Sequence, residues 1–216
     1  MHIPDGILPA QVCAGGYAMT GLATWYALRQ INHKPDPTAE IPKGALLTAA
    51  FFVASSIYIP IPPASVHLIL NGLLGVMLGY FAFPAILIGL FFQAIVLGHG
   101  GLTTLGVNAV MMGIPAVLAY HLFRLHDHFD RRLPARWSLA IFAFLGGGLG
   151  LGITALSFFT LVVATVPADF DSAAEKTAIV GLLLTHLPLI GIEGVFTALL
   201  VLFLQRVKPE LLKESP

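Results

Sequence analysis

The sequence predicts an all-α membrane protein: a single domain, residues 1–216, folded as a polytopic bundle of about seven transmembrane helices. Hydrophobic residues make up 57% of the chain and charged residues only 10%, which leaves too little polar surface for a soluble globule of this size. The charged residues also lie almost entirely between long apolar runs. Because the formal net charge is zero, nothing favours nucleic acid as a partner. The expected surroundings are the lipid bilayer of the plasma membrane.

Seven apolar stretches approach or exceed the roughly 20 residues that a helix needs to cross a bilayer. The fourth stretch is short, and the last two are long enough to tilt or to project from the membrane. In chain order, the predicted spans are residues 11–31, 44–60, 66–83, 84–97, 105–123, 137–166 and 178–205.

The distribution of Lys and Arg predicts an N-terminus outside and a C-terminus in the cytoplasm, because cytoplasmic segments of membrane proteins are enriched in these residues. With this orientation only Lys176 lies outside, in a loop that also carries acidic residues. The chain has eleven Lys and Arg residues, and the other ten are then cytoplasmic: Arg29, Lys34, Lys43, Arg124, Arg131, Arg132, Arg136, Arg206, Lys208 and Lys213.

The N-terminal loop, residues 1–10, begins with a sequence that can chelate a metal ion. The α-amine of Met1, the backbone amide nitrogen of His2 and the His2 Nδ1 can bind one metal in fused chelate rings. A second imidazole can fill the remaining in-plane position. Four nitrogens in a plane suit Ni(II), Cu(II) or low-spin Co(II), whereas Zn(II) prefers a tetrahedron. The site needs an unprocessed N-terminus, and the bulky His2 is expected to keep Met1 in place.

His67 is the best candidate for the second imidazole. It follows the sequence Pro60-Ile61-Pro62-Pro63, interpreted as a rigid turn, and begins the third predicted span near the outer surface. The turn sequence Pro4-Asp5-Gly6 would hold His2 on that same side. We therefore expect Met1, His2 and His67 to bind metal together.

Further polar residues share this outer layer of the predicted bundle. Their expected task is to hold the N-terminal loop and to orient the metal-binding residues, although Asn71, Gln93 and Asn108 could each instead form a hydrogen bond between helices. Glu193, a carboxylate well inside a predicted span, could pair with a histidine or face a protein partner. The residues expected to support the site in this way are Asp5, Asn71, Gln93, His99, Asn108 and His186.

Other functional signatures are missing from the sequence. There is no glycine-rich loop with the lysine that binds ATP phosphates, and no serine placed with a lysine or histidine for proteolysis. A pair of buried acidic and basic groups for a proton relay is missing as well. The chain is therefore predicted to bind its substrate without being an enzyme.

Three segments resemble the CbiM/NikM family, the membrane substrate-capture (S) components of energy-coupling-factor transporters for cobalt and nickel. They are MHIPDGILP at the start, SVHLILNGLLGVMLG around His67, and GGLTTLGVNAVMMG from Gly100 to Gly113. The resemblance covers nearly the whole chain. It implies seven helices and an N-terminal loop folded into the outer mouth. The implied metal ligands are the Met1 amine, the His2 amide and imidazole, and His67.

The resemblance also implies a transported substrate and partner proteins. The substrate would be Ni²⁺ or Co²⁺, and the choice between them stays open. The implied partners are a transmembrane coupling (T) component, cytoplasmic ATPase subunits that hydrolyse ATP, and a small accessory membrane subunit. The alternative is a membrane haem protein or oxidoreductase subunit that uses His67, His99 or His186 as axial ligands, but it leaves the Met1-His2 start unexplained.

Overall fold

The computed structural model describes residues 2–61, 64–129, 134–165 and 172–212. Met1 lies outside these ranges, and so do Arg131, Arg132 and Lys213 from the orientation argument. Helices dominate the described chain, in agreement with the predicted class. In chain order they are α1 (Ala10–Asn32), α2 (Ile41–Ala54), α3 (Asn71–Leu78), α4 (Ala82–Phe92), α5 (Leu105–Arg124), α6 (His126–Phe129), α7 (Ala135–Thr165) and α8 (Ser172–Val207).

Within the described residues, four helical segments are long and apolar enough to cross a membrane: Asn71–Leu97, Leu105–Phe129, Ala135–Thr165 and Leu184–Val207. Helix α1 is not among them, and α2 is apolar but has only 14 residues. Large apolar side chains are exposed on the helix surfaces, where lipid can cover them. The chain is a multi-pass membrane protein, and the count of seven spans stays a prediction.

The first of these segments, Asn71–Leu97, folds back on itself. A straight helix of its 27 residues would be about 40 Å long, yet the rings of His67 and His99 on either side have centroids 6.4 Å apart. The chain reverses at a 3-10 turn, Gly79–Phe81, where Gly79 has a φ of +58° that favours glycine. Helices α3 and α4 are therefore the two legs of a helical hairpin.

A short antiparallel β-hairpin precedes α3, with strands β1 (Tyr58–Ile61) and β2 (Ala64–His67). The sequence analysis placed His67 at the start of the third predicted transmembrane helix, and this was wrong. His67 ends a strand, and α3 begins only at Asn71, after Leu70 with a φ of +57°. The error has a physical reason: a short apolar run suits a strand as well as a helix.

Close backbone contact holds α3 inside the bundle. All eight of its residues are buried. A Cβ on Gly72 would collide with the backbone of Gly146 and Gly147 in α7, so this approach requires glycine. Helix α7 in turn packs along α8 and α5. The end of α3 next to His67 is therefore fixed against the centre of the bundle.

Helix α5 connects two chemically different ends of the bundle. It starts at Leu105, beside the N-terminal loop, and its 20 residues span about 30 Å. At its other end Arg124 lines a cavity of about 440 Å³ together with Glu40, Lys43 and Leu212. The N-terminal loop and the last described residues thus lie at opposite ends of the bundle.

Candidate metal-binding site

Three histidines converge at the end of the bundle that holds the N-terminal loop. The ring centroids of His2 and His67 are 5.3 Å apart, those of His2 and His99 are 6.2 Å apart, and those of His67 and His99 are 6.4 Å apart. The rings are roughly parallel, with interplanar angles between 9° and 26°. The fold thus brings together two predicted metal ligands, His2 and His67, and a residue predicted to support them.

Each of the three histidines lies on a segment outside the α-helices. His2 belongs to the N-terminal loop, and His67 ends β2. His99 follows a π-helical turn, Gln93–Leu97, and its backbone N–H donates to the Gln93 carbonyl at 3.1 Å. Such turns occur as local bulges in α-helices, frequently at functional sites. This one ends helix α4 beside the N-terminal loop.

Asn108 holds the N-terminal loop one residue after His2. Its Oδ1 accepts the backbone N–H of Ile3 at 3.0 Å, and its Nδ2 donates to the Ile3 carbonyl at 3.0 Å. The hydroxyl of Thr104 donates to the same carbonyl at 2.6 Å. The Ile3 side chain is buried in a small apolar cluster that includes Val107. The start of α5 therefore satisfies both polar backbone groups of the residue next to His2.

Asp5 attaches the loop a second time. Its carboxylate accepts the backbone N–H groups of Leu102, at 3.2 Å, and Thr103, at 2.9 Å, as well as the Thr103 hydroxyl. These hydrogen bonds, the one from the hydroxyl above all, lower the pKa of Asp5. A Cβ on Gly101 would collide with Asp5, so a glycine at this position allows the loop to sit so close.

The imidazoles are held in the neutral form that binds metal. Burial is the main reason that the pKa of His2 lies well below its ordinary value and that the pKa of His67 is lowered to about 3. Burial also lowers the pKa of His99. The Nδ1 of His67 lies 3.2 Å from the Leu68 carbonyl and can donate to it only when protonated. In that tautomer Nε2 carries the lone pair.

Gln93 lies beside His2, at the start of the π-helical turn. Its amide is close enough to raise the pKa of His2, against the larger effect of burial. Neither atom of this buried amide makes a well-formed hydrogen bond within the described residues, and the same holds for the His2 Nε2. Buried polar groups seldom stay unpaired, so these atoms are suited to contact a bound ligand.

The remaining predicted residues, His186 and Asn71, have different partners. His186 of α8 is buried and close enough to His67 to lower its pKa. Asn71 bonds to other helices: its Nδ2 donates to the carbonyls of Met112, at 3.0 Å, and Gly150, at 3.2 Å, and to the Thr154 hydroxyl at 2.9 Å. These hydrogen bonds join α3 to α5 and α7. They fit the alternative role given for Asn71, a hydrogen bond between helices.

Sequence reasoning predicted Asp5 and Asn108 as residues that hold the loop, but it missed Thr103 and Thr104, and it did not predict the partners of Glu193. Thr103 and Thr104 lie in a segment noted only for its family resemblance. Glu193 neither pairs with a histidine within the described chain nor faces outward, because its buried carboxyl group accepts the backbone N–H groups of Ile69 and Leu70. The sequence indicated a role for Glu193 only through its position, because a carboxyl group inside a predicted span is costly and usually functional.

Side chains alone do not complete a metal site here. Among the described residues, no three His, Cys, Asp or Glu side chains are arranged to hold a metal ion. Backbone or terminal nitrogens would have to supply further donors, which is what the predicted chelate of Met1 and His2 provides. Met1 lies outside the described residues, so its role stays a prediction.

The comparison with protein families fits this geometry. The model for CbiM, described as a cobalt uptake substrate-specific transmembrane region, matches residues 2–211. The chain belongs to the CbiM family. The predicted resemblance to CbiM/NikM proteins is thereby confirmed over almost the whole length.

Curated relatives of this CbiM-family chain carry transport names. It is 33% identical to a putative metal transport protein of Haemophilus influenzae, over 100% of this chain and 98% of that protein. It is 31% identical to a putative cobalt transport protein CbiM of Methanocaldococcus jannaschii, over 98% of this chain and 90% of the relative. A fused nickel transport protein NikMN of Rhodobacter capsulatus is 33% identical over 98% of this chain and 64% of its own length.

A solved structure of a transition metal transporter shares the fold. It has a TM-score of 0.74 and 30% identity, and the match covers 96% of this chain and 93% of that one. A truncated transition metal transporter matches with a TM-score of 0.71 and 25% identity, over 97% of this chain and 99% of that one. These names lend no support to the haem alternative.

Proposed function

We propose that this protein captures Ni²⁺ or Co²⁺ at the outer face of the plasma membrane as the substrate-binding component of an ATP-driven energy-coupling-factor importer. The observation that carries the proposal is the convergence of His2, His67 and His99 beneath a doubly attached N-terminal loop. Membership of a cobalt uptake family and relatives named for cobalt and nickel transport support the choice of substrate.

The proposed ligands are four nitrogens. The Met1 amine, the His2 amide nitrogen and the His2 Nδ1 form the chelate, and the His67 Nε2 completes the plane. Metal-binding histidines usually donate their other ring N–H to a neighbouring oxygen. The Gln93 Oε1 lies beside His2 and makes no well-formed hydrogen bond within the described residues, so it suits this task. For His67, a hydrogen bond from Nδ1 to the Leu68 carbonyl leaves Nε2 for the metal.

The proposed topology has seven spans, with the N-terminus outside and the C-terminus in the cytoplasm. It is supported by Lys43 and Arg124 at the cavity near the far end of α5, since Lys and Arg are enriched on the cytoplasmic side. In this arrangement the metal enters from outside, directly at the N-terminal loop.

The proposed partners supply energy that a metal site alone cannot. A T component would connect this chain to cytoplasmic ATPase subunits, and a small accessory membrane subunit would complete the assembly. Binding energy at one face cannot by itself accumulate metal at the other. In liposomes, we therefore expect sustained ATP-dependent accumulation only when the coupling component and the ATPases are present. Accumulation by this chain alone would contradict the proposal.

Metal titration of the purified protein tests the proposed capture. Wild type is expected to bind Ni²⁺ or Co²⁺ stoichiometrically, whereas His67→Ala should bind far more weakly while remaining folded. His121→Ala, at the other end of α5, is a control for the general effect of removing a histidine. Equal affinity of wild type and His67→Ala would remove His67 from the ligand set. Absence of binding by wild type would overturn the proposed function.

A further inference from the structure

Glu193 lies in α8, inside a segment long and apolar enough to cross the membrane, and its side chain is 1% exposed. A buried carboxyl group at this depth is costly unless hydrogen bonds satisfy it. Within the described residues no lysine or arginine pairs with it. Its partners are instead two backbone N–H groups at the junction between β2 and α3.

The hydrogen bonds of Glu193 converge on the two residues that precede α3. Its Oε1 accepts the N–H of Ile69 and, at 3.1 Å, the N–H of Leu70, while its Oε2 accepts the Leu70 N–H at 3.1 Å. Both donors lie just before the first turn of α3, at the positive end of the helix dipole, where a carboxyl acceptor is favoured. The carboxyl group therefore acts as a cap that comes from another helix.

This junction needs external support. Leu70 has a φ of +57° and a ψ of +15°, a left-handed conformation that a residue with a Cβ adopts only when its surroundings hold it. The change of direction at Leu70 separates strand β2 from α3, and His67 is the last residue of that strand. The position of His67 over the site thus depends on the backbone that Glu193 holds.

We propose that Glu193 is a positioning residue for metal capture: it fixes the backbone of Ile69 and Leu70 and thereby holds the His67 imidazole in place for the metal. Glu193 does not bind the metal in this account. The effect of Glu193 on metal affinity rests on the proposed function. Its effect on the backbone of Ile69 and Leu70 does not, because it is measured in the metal-free protein.

Substitution of Glu193 tests the proposal. Glu193→Gln replaces one acceptor oxygen by an NH₂ group, which then faces backbone N–H donors. Glu193→Asp keeps the carboxyl group but shortens its reach. Either variant should lower Ni²⁺ or Co²⁺ affinity by about 10- to 100-fold, as changes to groups that orient ligands typically do. Thr197→Val is a matched control, since Thr197 is buried one helical turn further along α8.

A double-mutant cycle separates positioning from general stability. If Glu193 acts through His67, then Glu193→Gln should cause no further loss of affinity in a His67→Ala background. The metal-free protein gives an independent measurement: the amides of Ile69 and Leu70 should exchange hydrogen faster in Glu193→Gln than in wild type or Thr197→Val.

Three results would overturn the proposal: wild-type affinity in a folded Glu193 variant, an additive loss in the His67→Ala background, or unchanged amide exchange at Ile69 and Leu70. If wild type binds neither metal, the proposed function fails while the exchange measurement still tests the positioning role. If Glu193→Gln does not fold, Glu193→Asp carries the same three comparisons.

Discussion

Replacing Asn108 with alanine should loosen the N-terminal loop and weaken metal capture. The structure gives Asn108 two hydrogen bonds to the backbone of Ile3, each 3.0 Å long. Each contributes about 0.5–1.5 kcal/mol net, so the docked loop should lose about 1–3 kcal/mol. At about 1.4 kcal/mol per factor of ten, affinity should fall by about 5- to 150-fold. Thr104 still binds the Ile3 carbonyl, which favours the lower part of this range.

A competition titration with a chromophoric chelator measures this change, and Asn71→Ala is its matched control. Asn71 is also a buried asparagine, but its hydrogen bonds join helices and do not touch the loop. We expect Asn71→Ala to lower the melting temperature and to leave metal affinity nearly unchanged. Wild-type metal affinity in folded Asn108→Ala, or an equal loss of affinity in both variants, would show that Asn108 does not support metal binding by holding the loop.

Gln93→Ala should lower metal affinity by about 10- to 100-fold in the same titration, because Gln93 is the neighbour proposed to orient the His2 ring. Asp5→Asn should cause only a few-fold loss, because Asp5 is exposed, and hydrogen exchange of the N-terminal loop should rise. The pKa of Asp5 is lowered in the folded protein, so its stabilising effect is complete above the ordinary value of about 4 and is lost as the pH falls through the lowered pKa. Metal capture should also weaken in acid, because the His2 amide and the Met1 ammonium group must lose their protons to bind the metal. At pH 7 this releases about two protons per metal ion. Calorimetry in buffers of different ionisation enthalpy measures this proton release. If no protons are released on metal binding, the amide nitrogen is not a ligand.

The sequence predicted the long helices well because their apolar runs are delimited by charged residues. Residues 105–123 were predicted as a span and Leu105–Arg124 is a helix, and residues 137–166 correspond to Ala135–Thr165. The segment around His67 was harder to predict. Its apolar residues suit both a strand and a helix, and the left-handed conformation of Leu70 leaves no mark in the sequence.

The candidate site was predictable where it depends on side-chain chemistry. His2, His67 and His99 were all placed in one layer, because the positions of the spans fix which ends of helices lie together. Asp5 and Asn108 were also predicted, whereas Thr103 and Thr104 were missed, and so were the partners of Glu193. The bonds from Thr104 to the Ile3 carbonyl and from the Ile69 N–H to Glu193 depend on tertiary packing, which a pattern of residue types does not encode.

We propose that the α-amine of Met1 is a metal ligand, and an N-terminal extension of the chain tests this most directly. One residue added before Met1 turns its nitrogen into an amide and moves the amine out of the chelate ring. The comparison is between this protein and one that carries the same addition after Pro216, both verified as folded and inserted. We predict that the N-terminal addition abolishes high-affinity Ni²⁺ and Co²⁺ binding and that the C-terminal addition leaves it intact. Equal affinity in the two proteins would contradict the account.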